Sequence, residues 1–159
     1  MVWHKNTYAR TVREDILGME NFSKKKVLRR YLELKKQERL LIEQLLEIRT
    51  TATSPRAMSD GMPRAGRKTD LAGYAARWDA VLSRLEEKKA ATVAAYGRIW
   101  DCIQDVEAAE EREVLSRRYL LGHDWEHIAR VMGYSVRHVL RIHGAALCHV
   151  SPPDDLFDC

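Results

Sequence analysis

Arg137, His138 and Arg141 sit within five residues of one another, directly after Ser135. Their chemistry is hydrogen-bond donation to an anionic or acceptor-rich partner. An arginine fork matches O6 and N7 of guanine, and a serine at a helix start can cap the helix and touch a phosphate together. Arg130, Arg117 and Arg118 add cationic side chains suited to the sugar-phosphate backbone, which position a protein without reading sequence. Catalytic patterns do not emerge. The chain shows no paired carboxylates at catalytic spacing, no glycine-rich phosphate loop and no nucleophile with an evident base, so no enzyme is expected. His123 and His127 have the four-residue spacing of helical metal ligands. Gly122 and Asp124 place His123 in a turn, however, and no zinc-type Cys/His quartet follows. Neither a metal nor a cofactor is expected. His143 reads as a packed or capping histidine.

Three short helices must hold those residues. The first carries Val114, Leu115, Tyr119 and Leu120 on one face and ends at Gly122. Asp124 caps the second, whose inward row is Trp125, Ile128, Ala129 and Met132. Gly133 ends it, with Tyr134 expected to point back to the core. Ser135 caps the third, with Val136, Val139, Ile142, His143 and Ala146 inward. Ala129 is small where the second and third helices would cross. Two short helices about a tight glycine-containing turn fit the helix-turn-helix geometry, in which the third helix protrudes toward a major groove.

The string from Glu111 to Leu147 resembles region 4 of the sigma-70 family. More closely, it resembles phage and prophage transcriptional regulators of the ArpU and RinA type. Arg118-Tyr119, Gly122, Trp125-Glu126-His127-Ile128-Ala129, Gly133-Tyr134-Ser135 and Ile142-His143-Gly144-Ala145-Ala146-Leu147 carry the resemblance. The upstream order of long helix, Ser/Pro/Met-rich linker and second long helix is similar over 23–106, more loosely. The resemblance implies control of late phage or prophage transcription. A region 2 for opening promoter DNA has no counterpart here, which argues against a complete sigma factor.

Upstream, Val27, Tyr31, Leu34, Leu41, Leu45 and Ile48 step by threes and fours, with Ser23 as the expected cap and Leu28, Leu32, Ile42 and Leu46 as a second row. Pro55, Gly61, Pro63 and Gly66 punctuate a basic linker over 50–69. Asp70 is then the expected cap of a second long helix, with the stripe Leu71, Tyr74, Trp78, Val81, Leu85, Tyr96, Ile99, Ile103 and Val106. The expected fold is all-α: a flexible arm over 1–20, a long antiparallel helical hairpin over 21–107, a three-helix head over 108–150 and an acidic tail over 151–159. Leu82, Val93 and Trp100 form a second row on the later helix and point to a second copy of the chain.

Among the 159 residues, 27 Lys and Arg against 23 Asp and Glu give a net charge of +4, and Asp154, Asp155 and Asp158 in the tail make the rest more basic still. The three cysteines lack a pairing framework, and no apolar stretch has the length of a membrane span or signal peptide; a cytoplasmic protein is expected. The run Lys24-Lys25-Lys26-Val27-Leu28-Arg29-Arg30 reads as a solvated helix face, or as a second phosphate-contact surface. The expected function is sequence-specific recognition of double-stranded DNA by a transcription regulator, with RNA polymerase as a further partner. Two other readings stay open: a small-terminase-like subunit that marks DNA, and an interaction module that contacts polymerase without binding DNA.

Overall fold

A computed structural model describes the backbone of residues 4–53 and 67–152, and the side chains of 18–51 and 71–152. Among the described residues every regular element is helical and none is a strand. Helix α1 spans His4–Thr53, α2 Arg67–Gln104, α3 Ala109–Leu115, α4 Trp125–Met132 and α5 Val136–His149; a π-helical segment, Ser116–Leu120, extends α3. Most of the linker and the tail fall outside the described residues.

The chain divides into two compact units. One combines Met1–Leu32 with Ala94–Cys159, and the other is Glu33–Val93. In the second unit Leu34, Leu45, Leu85 and Thr92 are buried, while Leu40, Ile42, Leu46, Leu71, Leu82 and Val93 are exposed. Leu71 thus departs from the inward row expected of it. Thr92 joins that row because its hydroxyl donates to the Lys88 carbonyl at 2.8 Å, which satisfies the polar group without a distant partner.

The first unit holds two neighbouring cores. One unites Leu28 of α1, Ile99, Cys102 and Ile103 of α2, Val106, and Leu115, Tyr119, Leu120, Ala146, Leu147 and Val150 of the head. The other lies between α3, α4 and α5 and contains Val114, Ile128, Ala129, Val139 and Ile142. Leu28 from the expected second row is fully buried, and Ala95 rather than Tyr96 turns inward on α2. Tyr96 stays at the edge instead, with its ring centroid 5.2 Å from Tyr31 and 6.0 Å from Trp100.

Two expected boundaries move. Helix α1 is already helical at His4, so Ser23 lies inside it rather than capping it, and the helix takes in the backbone of residues 4–20. No proline interrupts this stretch, and Gly18 alone is too weak a breaker to end a helix that has begun. Likewise α2 begins at Arg67, three residues before Asp70.

Candidate nucleic-acid interface

The turn that presents α5 is fixed by local hydrogen bonds. Asp124 accepts from the backbone N–H of His127 at 2.7 Å and starts α4. Gly133 ends it at φ +70°, a left-handed conformation that strains any residue with a Cβ. The Tyr134 N–H reaches back to the Ala129 carbonyl at 2.9 Å, the wide bond of a Schellman motif. Ser135 Oγ then accepts from the His138 N–H at 3.2 Å and starts α5. Only Gly133, Tyr134 and Ser135 separate the two helices.

Helix α5 has two distinct sides. Val139, Ile142, His143, Ala146 and Leu147 are buried. Arg137, Leu140, Arg141, Gly144 and Ala145 are exposed, and His138 is half-buried. The first turn carries no acidic residue, so the positive end of the helix dipole and Arg137 share one place. Arg141 also lines an open groove of about 450 Å³ that runs along Ala108, Ala109, Glu110, Glu111, Ile142 and Ala145. Ser135, Arg137, His138 and Arg141 therefore gather at one end of α5, and exposed Arg130 lies on α4.

Arg117 and Arg118 are occupied differently from the expectation. Arg117 donates to Glu113 Oε1 from Nε at 2.9 Å and from Nη2 at 2.6 Å. Arg118 donates to the His123 carbonyl at 2.8 Å and lays its guanidinium over the Trp125 ring, 4.5 Å from the centroid. The π-helical register brings both onto the surface of α3 and the following turn, where Leu121 N–H bonds the Ser116 carbonyl at 3.1 Å. Arg118 thus ties the turn before α4 to the first residue of α4.

Tyr134 is a second correction. Its ring is exposed rather than folded into the core, because the hydroxyl needs a polar partner and finds one in Glu110 Oε1 at 2.7 Å. That hydrogen bond pushes the phenol's pKa upward. The other face of the network is His138, whose ring lies edge-on to Tyr134 with centroids 4.7 Å apart. Arg141 Nη2 lies 3.1 Å from His138 Nδ1.

His143 occupies the interior, with Nε2 at 2.9 Å from the Tyr119 hydroxyl and its ring edge-on to Trp125. Burial, with Lys25, Arg118 and Arg29 nearby, lowers its pKa to about 4. Burial likewise raises Tyr119, against the opposing pull of Arg29 and Arg118. The Cys102 thiol is pushed to about 11 by burial and by Asp105 and Asp101, which leaves it protonated at neutral pH. His123 and His127 stand with ring centroids 4.3 Å apart. Among the described residues no three His, Cys, Asp or Glu side chains group as metal ligands, and no helix is long and apolar enough to cross a membrane.

Glu110 and Leu140 are residues near this surface that the residue pattern did not single out, and Lys24, noted only as part of a basic run, has a specific partner. Lys24 Nζ donates to the Leu147 carbonyl at 2.8 Å, so part of the basic run on α1 completes the C-terminal turn of α5. A lysine run carries no mark of which member caps a distant helix. Leu140 is the one signal that was available, an apolar residue between Arg137 and Arg141 on the outward side.

The chain matches no family model, no curated protein and no solved structure.

Proposed function

We propose that this chain is a sequence-specific, double-stranded-DNA-binding transcription regulator of phage or prophage late genes, and that α4, the three-residue turn and α5 act as its helix-turn-helix. In this reading α5 enters the major groove, Arg137, His138 and Arg141 contact base edges, and Ser135 and Arg130 contact phosphates. One observation carries it: a doubly capped, glycine-set turn supports a helix whose inward row is fully packed and whose outward row is Arg137, Leu140 and Arg141. That outward row offers hydrogen-bond donors and an apolar contact together, the two kinds of contact that base edges accept in the major groove. In the same reading α1 and α2 form a helical hairpin that joins two copies of the chain or contacts RNA polymerase.

The phosphate share of such binding is electrostatic and releases counterions. With roughly four phosphates neutralised, affinity for a duplex pool falls ~100-fold between about 50 and 200 mM salt. Fluorescence anisotropy of labelled duplexes measures this directly. Salt-independent affinity, or none at low salt, defeats the proposal. The second reading is a head that binds protein alone; the half-exposed aromatic pair Tyr96 and Trp100 on α2 favours it. It predicts that null result together with capture of purified RNA polymerase.

A further inference from the structure

We propose that His138 and Arg141 form one donor-only reading unit, with the imidazole tautomer set by Arg141, and that this unit selects guanine and rejects cytosine on the contacted DNA strand. The inference rests on the DNA-binding reading and names the base edge that reading leaves open.

The argument starts from hydrogen-bond capacity. Arg141 Nη2 lies 3.1 Å from His138 Nδ1. A guanidinium has donors and no acceptor, so Nδ1 must offer its lone pair. The ring proton is then on Nε2, at the far side of the imidazole. One more contact holds the ring: Tyr134 packs edge-on at 4.7 Å between centroids, while the backbone N–H of His138 is tied to Ser135 Oγ at 3.2 Å and fixes the start of the helix. Tyr134 is itself anchored by its hydroxyl to Glu110 Oε1 at 2.7 Å. A continuous chain therefore runs from Glu110 at the start of α3, through Tyr134 and His138, to Arg141. Glu110 and Tyr134 are positioning residues; His138 and Arg141 are the readers.

What the pair shows to a partner follows. Nε2–H and the remaining guanidinium N–H groups are all donors. Guanine offers two neighbouring acceptors, N7 and O6, in the major groove, whereas cytosine presents an N4 amino donor there. Adenine pairs its N7 acceptor with an N6 donor, and thymine offers a single acceptor beside a methyl group. Guanine alone satisfies two donors side by side, and cytosine opposes them.

The test has one arm without DNA. Long-range ¹H–¹⁵N spectra of the free full chain at neutral pH should show His138 with its proton on Nε2. A ring protonated on Nδ1, or a mixture of the two forms, overturns the tautomer assignment. The second arm is selection from a randomised duplex pool, followed by titration of the enriched site and of a version with cytosine in place of guanine. His138→Asn keeps an acceptor near Nδ1, but its amide N–H groups sit at the Cδ2 position, short of where the outward Nε2–H reaches. It should reduce the guanine-over-cytosine preference at one position ~10-fold. Tyr134→Phe should reduce the same preference, about threefold, with an unchanged melting temperature, because only the anchor to Glu110 is lost. An enriched site without guanine, or full preference in His138→Asn, overturns the reading unit while DNA binding stands. Failure to bind any duplex overturns the proposed function and this unit with it.

Discussion

The Tyr119 hydroxyl and His143 Nε2 meet at 2.9 Å inside the head, and that contact joins the π-helical segment to α5. The fold favours the neutral imidazole, with a pKa of about 4 set first by burial and then by Lys25, Arg118 and Arg29. The unfolded chain takes up a proton at the ordinary value, near 6.5. Stability from this group is therefore complete above pH 6.5, declines as pH falls toward about 4, and is flat below. With the cations screened by solvent, the loss is about 2 kcal/mol. Denaturant unfolding at pH 7.5, 5.5 and 4 measures it. His143→Leu should flatten that profile between pH 6.5 and 4, and an unchanged slope assigns the acid sensitivity to other groups.

Arg118→Ala is expected to destabilise the head before it affects any partner. It removes the bond to the His123 carbonyl and the stacking on Trp125 together. The combined cost is ~1–3 kcal/mol. Arg118→Lys restores little, since an ammonium cannot stack its plane on the indole while bonding that carbonyl. A melting temperature equal to that of the unaltered protein would show that these contacts carry no stability.

The head was legible because its signals are local. Asp124, Gly133 and Ser135 act within one turn of the chain, and each occupies the structural role that its residue type implies. Residues whose roles depend on distant partners were not. The Tyr134 hydroxyl is drawn outward by Glu110, 24 positions earlier, and Arg118 is recruited by Trp125 across a turn. On α2 a reading by hydrophobicity passes from Leu85 to Tyr96 and skips Thr92 and Ala95, both buried. One is polar but satisfied within its own helix, and the other is too small to stand out as an apolar anchor. The start of α1 was obscured for another reason. A long helix continues through weakly patterned sequence once begun, since adding a residue costs far less than nucleation.

Lys24→Met tests how α1 holds the head. The substitution keeps the aliphatic stem and removes the ammonium that bonds the Leu147 carbonyl. A cation at a helix C-terminus contributes about 0.5–1 kcal/mol, so unfolding should occur at slightly lower denaturant, with faster amide exchange confined to the last turn of α5. Uniformly faster exchange across all helices would assign Lys24 no special role in capping α5.

Two glycines within helices separate stability from recognition. A Cβ added at Gly97 on α2 or at Gly144 on α5 meets nothing within 4 Å. Each change to alanine therefore relieves the backbone entropy of glycine without a clash and should stabilise by ~0.5–1 kcal/mol. Their surroundings differ. Gly144 lies on the outward side of α5 with Arg137, Leu140 and Arg141, where, in the proposed DNA complex, a methyl group would stand between the helix and a groove wall. Gly97 is on α2, away from that row. Gly97→Ala should leave duplex affinity unchanged, whereas Gly144→Ala should lower it severalfold although the protein itself melts higher. Paired thermal melts and anisotropy titrations check both signs. If both variants bind as the unaltered chain does, the third turn of α5 lies outside the groove, and contact is confined to the turn that begins at Ser135.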